Sequence, residues 1–255
     1  MKGRLAILLL GLPVALGAQR PVITGELARA LAAERRGDLV EAVDHFNAVL
    51  VERPADGQAI LGLSRVLPSL DRRAELAAPL RQALAVDSAN VGFLSLAVRT
   101  YALLGERDSA AAYVDRWVAV VGSEEEPWRE WATSALEAHD RIGAKQALEA
   151  GRQRIANPAA LAPELAQLRE AEGDIRGATD EWLRAITNAP TLRSAALLML
   201  GDLLPPQRDT VLAVLTRRGD VEATRLRGLL LVTWGQPEQG VALLAGVLPE
   251  SAAQT

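Results

Sequence analysis

Apolar residues along this chain return every three or four positions, in helix-length stretches separated by brief polar breaks. The segment "YALLGERDSAAAYVDRWVAVV" (101–121) has one such stretch on each side of Gly105. The alternation of β-branched and polar residues that strands favour is scarce, so the pattern predicts an all-α chain. The breaks are themselves periodic. Gly37-Asp38, Gly105-Glu106 and Gly173-Asp174 recur at equal spacing, two 34-residue periods from each to the next. Five positions after each glycine stands a small residue, Ala42, Ala110 and Ala178. Four further on stands a larger apolar one, Phe46, Val114 and Trp182. Each stretch then closes at a helix breaker, Pro54, Gly122 or Pro190.

This order has a physical reading. Glycine adopts positive φ at little cost and ends a first helix. The acid beside it lies at the start of a second helix, where it can cap or meet the positive dipole end. The alanine lets two antiparallel helices approach, and the larger residue fills the gap to the neighbouring hairpin. Between these units the register persists: Leu80, Ala83 and Ser88 fall one period after Phe46, Val49 and Pro54, and Ala144 falls one period after Ala110. Units therefore begin near 23, 57, 91, 125 and 159. The phase then slips through a short unit with Pro205-Pro206 at its turn and returns with Gly235.

The 34-residue period with Gly, Ala, a large apolar residue and Pro at these offsets resembles the tetratricopeptide repeat family. The best unit, 91–124, also carries Tyr101 where the family favours tyrosine. The family's leading Trp and first Gly are mostly missing, and Ala30, Ser64, Ala132 and Ala166 hold the glycine's place. The resemblance implies an all-α, right-handed superhelical solenoid of antiparallel helix hairpins. We expect about seven units over residues 19–250 and a frayed tail at 251–255. Repeats of this kind bury their apolar faces on neighbours.

Positions 1–18 read as a secretory leader: Lys2 and Arg4, an apolar run from Leu5 to Leu16, then small residues up to Ala18. Cleavage is placed after Ala18 or Gly17. An uncleaved anchor is the alternative, but the run is shorter than the roughly 20 residues that span a bilayer. An exported protein, periplasmic or extracellular and without stable membrane insertion after cleavage, is expected. The formal net charge is −4, and loss of Lys2 and Arg4 makes the mature chain more acidic still. That argues against a nucleic-acid partner, which needs a basic face. There are no cysteines, so disulfides, thiol nucleophiles and lipid attachment at cysteine are excluded.

The nucleophile-elbow, phosphate-loop and H-E-x-x-H patterns are absent. Glu41 and His45 are spaced i, i+4, a weak metal pair lacking the further ligands of a closed site. His139 reads as solvated or capping. Glu124, Glu125 and Glu126 look like a charged helix start rather than an acid–base pair. No cofactor and no enzymatic activity are expected. Trp117, Trp182 and Trp234 fall in or beside packing positions; Trp128 and Trp131 either pack on the previous unit or face a partner.

In the family, first helices line a concave surface that receives peptide or protein segments. One equivalent first-helix position holds Leu31, Arg65, Arg99, Thr133 and Gln167, and Arg129 lies one turn before Thr133. If these face inward, Arg65, Arg99 and Arg129, with Thr133 and Gln167, form a strip for an acidic segment or a terminal carboxylate. The competing reading is solvated arginines, or arginines paired with Glu126 or Glu130. The function expected is an exported, non-enzymatic scaffold in envelope-associated complexes. The alternative is a structural subunit that assembles through convex or terminal-repeat surfaces, suggested by the apolar run Leu229 to Trp234.

Overall fold

The computed structural model describes residues 25–247, and the expected leader and tail lie outside them. Among the described residues there are fourteen α-helices. The chain divides into two compact units, which meet in sequence at Leu70 and Asp71.

The first unit contains α1 (Gly25–Arg36), α2 (Leu39–Glu52) and α3 (Gly57–Ser69). α1 and α2 form a hairpin, and α3 packs mainly on α2. Phe46 is fully buried at the centre of this unit. α3 can pass over it because position 62 has no side chain: a methyl group at Gly62 would stand 2.2 Å from the Phe46 ring. Asp56 starts α3 by accepting the Ala59 N–H at 2.9 Å.

The second unit begins with a short 3-10 turn at Arg73–Leu76 and continues through α4 (Ala77–Val86), α5 (Val91–Leu103), α6 (Arg107–Val121), α7 (Glu126–Glu137) and α8 (Arg141–Ile155). Then follow α9 (Ala162–Ala171), α10 (Ile175–Asn188), α11 (Arg193–Gly201), α12 (Pro205–Arg218), α13 (Val221–Thr233) and α14 (Pro237–Ala245). Hairpins form between α5 and α6, α7 and α8, α9 and α10, and α13 and α14. The expected small residues Ala42, Ala110, Ala144 and Ala178 are completely buried, as are Phe46 and Val114. Trp117, Trp128, Trp131 and Trp182 are buried as well, which settles the two alternatives for Trp128 and Trp131 in favour of packing.

The turn between helices repeats more faithfully than the glycines do. Left-handed φ values occur at Gly37 (84°), Asp71 (57°), Gly105 (74°), His139 (60°) and Gly173 (82°), each one 34-residue period after the last. At Gly37, Gly105, His139 and Gly173 the same pair of bonds closes the helix. The left-handed residue's N–H reaches back three residues and the next N–H reaches back five, as in Gly105 to Ala102 and Glu106 to Tyr101. His139 thus fills a glycine's place. The acids after the turns divide. Asp140 and Asp174 cap α8 and α10 through the N–H groups of Gly143 and Gly177. Asp38 and Glu106 make no side-chain cap, because Arg36 holds Asp38 at 2.8 Å and the Ser109 hydroxyl donates to Glu106 at 3.2 Å.

Two departures shape the second half. The loop 156–161 holds left-handed Ala156 and Leu161 and separates α8 from α9. It is pinned by Glu181 of α10, which is 0% exposed. Arg152 donates to both Glu181 oxygens at 2.8 Å and to the Ala160 carbonyl at 3.0 Å, while Arg184 and Arg169 approach Glu181 at 2.7 and 3.4 Å. Three guanidiniums around one carboxylate tie α8, α9 and α10 together. Further on, α11 and α12 form no close hairpin; α12 packs on α10 and α13, and α11 packs on α13. The double proline lies at the first turn of α12, where the missing N–H groups cost nothing.

Candidate functional site

The five expected partner-binding residues are on first helices, but the three arginines among them are already paired. In the first unit, Arg65 of α3 is exposed and makes a two-pronged contact with Glu34 of α1, at 2.7 and 2.9 Å. In the second unit, Arg99 of α5 reaches Glu137 of α7 at 3.4 Å. Arg129 of α7 contacts Glu164 of α9 at 2.6 Å, Glu125 at 2.6 Å and Glu126 at 3.5 Å. These are ties between neighbouring first helices. A partner's carboxylate would have to displace Glu34, Glu137 or Glu164. Thr133 and Gln167 are exposed.

The histidine readings resolve similarly. His45 Nδ1 is 2.7 Å from Glu26 and its Nε2 is 3.6 Å from Glu41. The hydrogen bond with His45 is the main reason the Glu26 carboxyl lies below its ordinary value. Among the described residues no group of three or more His, Asp or Glu side chains is placed to hold a metal ion. Glu125 and Glu126 stand at the start of α7, beside Arg129.

The open site lies further along, where α9, α11 and α13 face a cleft of about 550 Å³. Its floor is apolar: Leu197, Leu198, Met199 and the Thr233 side chain. Leu198 is 73% exposed. Its rim is acidic, from Glu170 of α9 and Asp202 at the end of α11. Among the described residues neither carboxylate is in an ion pair. Burial first, and the charge of Asp202 second, push the Glu170 carboxyl above its ordinary value. One Glu170 oxygen is buried without a hydrogen-bond partner. Arg169, next in sequence, cannot neutralise it because it is turned toward Asp174 and Glu181.

The walls are tied together by side-chain contacts. Arg193 of α11 bonds Glu222 of α13 at 2.7 Å, and Glu222 also pairs with Arg225. The Trp234 indole N–H donates to the Gly201 carbonyl at 3.0 Å, and the Arg208 guanidinium lies over the ring at 5.2 Å. Gly228 and Gly240 let α13 and α14 cross closely: a methyl group at Gly240 would stand 2.6 Å from the Gly228 carbonyl oxygen. The cleft's apolar floor and acidic rim match one kind of side chain, a long apolar stem ending in a cation. Sequence reasoning misses this site. No motif or repeat position in the sequence singles out Glu170 or Asp202.

Paired helices, left-handed turns that keep the 34-residue period and small residues at the crossings define an all-α protein built of repeated helix hairpins. No protein family's sequence profile matches the chain, and no curated protein matches it. Solved structures that it resembles include a tetratricopeptide repeat protein from Parabacteroides merdae, with 15% identity and a TM-score of 0.43 over 87% of this chain and 90% of that one. Two others are PilW, a type IV pilus biogenesis factor (13%, 0.41, 87% and 90%), and Pseudomonas aeruginosa PilF (14%, 0.40, 87% and 88%).

Among the described residues no helix is long and apolar enough to cross a membrane.

Proposed function

We propose that the chain is a non-enzymatic scaffold that holds a segment of a protein or peptide in the cleft of α9, α11 and α13, anchored by a lysine or arginine of that segment. One observation carries the reading: two unpaired carboxylates, one partly desolvated, stand over an exposed leucine. A basic side chain relieves both deficits. Its stem covers Leu198 and its head supplies the donors that Glu170 and Asp202 lack. Export and work in envelope-associated complexes remain part of the proposal and rest on the leader-like segment 1–18 and the resemblance to the repeat family. An acidic segment held at Arg65, Arg99, Arg129, Thr133 and Gln167 is the less favoured mode, since it must break existing ion pairs.

The test is fluorescence anisotropy with a library of short labelled peptides of uniform length, varied in charge. Peptides with one basic residue flanked by aliphatic ones should bind, and Glu170→Gln with Asp202→Asn should abolish the preference. Selective binding of acidic peptides, lost in Arg65→Glu with Arg99→Glu, would overturn it. A second reading, assembly through the last helix pair, draws on exposed Val232 and Val241, though Leu230 and Leu231 of the same run are buried. Light scattering over a concentration series separates the two, and a constant monomer mass excludes self-assembly.

A further inference from the structure

Away from that cleft, in the second unit, α4, the end of α5 and α6 border an open hollow of about 420 Å³. Two tyrosines form its wall. The Tyr101 and Tyr113 rings stack with centroids 5.2 Å apart and planes within 10°. Each is met by an arginine: Arg81 donates to the Tyr101 hydroxyl at 3.0 Å, and the Arg116 guanidinium lies over the Tyr113 ring at 5.1 Å. Burial, with the neighbouring Tyr101 adding to it, pushes the Tyr113 phenol above its ordinary value.

What separates these two arginines from five others on the helices is their company. Arg65, Arg99, Arg107, Arg129 and Arg152 all touch carboxylates. Arg81 and Arg116 line the hollow with no carboxylate in contact, and an aromatic ring or a phenol orients each of them. An arginine has five N–H donors, and these two use one between them on a neutral oxygen. The lining also contains one acid, Glu106, which already accepts from Ser109. Two cations and one anion leave a single positive charge.

We propose that this hollow is a binding site for a monoanionic carboxylate, taken from the end of a peptide chain or from an acidic side chain. A carboxylate is planar, accepts two parallel bonds from a guanidinium, and neutralises the lining with its one charge. A phosphate dianion overshoots that charge and is repelled by Glu106. The site is independent of the acidic cleft, so a partner with a basic anchor and a separate carboxylate has two places to meet this protein.

The experiment is NMR observation of the arginine side-chain N–H groups in the full chain. Four probes are titrated to about 10 mM, a range that detects even millimolar affinity. They are N-acetyl tetra-alanine with a free carboxyl end, the same peptide amidated, the amidated peptide with one glutamate, and inorganic phosphate. The free-acid peptide, the glutamate peptide or both should produce saturable shifts at Arg81 and Arg116 and none at Arg217, and which of them does so identifies the source. The amidated peptide should produce none. Arg116→Gln and Arg81→Gln should each weaken binding about tenfold, while Arg217→Gln and Glu170→Gln leave it unchanged. Saturable binding of neither carboxylate peptide, equal shifts with the amidated one, or tighter binding of phosphate than of both would overturn the proposal.

Discussion

The first helices of the second unit present two surfaces of opposite design. Along α5, α7 and α9, every arginine at the expected groove positions is tied to an acid on the next first helix. Along α9, α11 and α13, two acids are left without cations above apolar side chains. The same kind of helix face is therefore used once to fasten repeats together and once to leave chemistry open. What differs is the spacing of charges. Arg99 and Glu137, or Arg129 and Glu164, lie within reach across adjacent helices, whereas Arg169 is drawn away from Glu170 by buried Glu181. An ion pair within reach is closed; a carboxylate whose neighbour is committed elsewhere stays available.

The largest test of this contrast is at Glu181, the buried carboxylate toward which Arg169 turns. Glu181→Ala leaves Arg152, Arg169 and Arg184 without their shared carboxylate and should cost about 3–5 kcal/mol of stability, measured by urea unfolding. A loss near that of an exposed substitution would remove Glu181 as the tie between α8 and α10. Next in size, Glu170→Gln should weaken a bound basic peptide by about 1.5–3 kcal/mol without lowering the melting temperature, read by calorimetry on both counts.

Two carboxylates give opposite pH behaviour. The Glu170 value is raised in the folded chain by burial and by Asp202. Its contribution to stability is full below the unfolded value and is lost as pH rises through the folded one. The Asp140 value is lowered, chiefly by the hydrogen bond from Arg107, so its contribution is present above the unfolded value and is lost as pH falls through the folded one. Basic-peptide affinity should fall as pH drops through the raised Glu170 value, and Glu170→Gln should flatten that profile.

Smaller effects complete the comparison. His139→Gly should raise stability by about 0.5 kcal/mol, because glycine takes left-handed φ without the cost a side chain adds there. Chemical denaturation resolves it, and a loss would mean the imidazole contributes more than its turn position. Arg99→Gln, at an exposed pair with a 3.4 Å contact, should change stability by no more than about 0.5 kcal/mol and leave basic-peptide binding untouched. A marked loss of that binding would erase the distinction between the two surfaces.

Much of the helix order is legible in the sequence because it obeys a local rule. Gly105 and Gly173 end helices where the period says they should, and Ala110 and Ala178 are buried where two helices cross. The turn at His139 is hidden only because a histidine does the work of a glycine, though the period points to it. Gly62, Gly228 and Gly240 give no such sign. They are needed by a partner ring or backbone from another helix, which no spacing within one helix reveals. The period places Arg65, Arg99 and Arg129 on first helices, yet it does not reveal their partners, 31 to 38 residues away in sequence.

The amino-acid order alone sets the 34-residue period, the helix-ending turns at Gly37, Gly105 and Gly173 and the buried alanines that follow them, since turn geometry and apolar spacing act over a few residues. Only tertiary structure decided which charges cancel and which remain open. An ionic contact depends on angstroms between helices, and a substitution at one buried site, such as Glu181, redirects arginines that the sequence presents as alike.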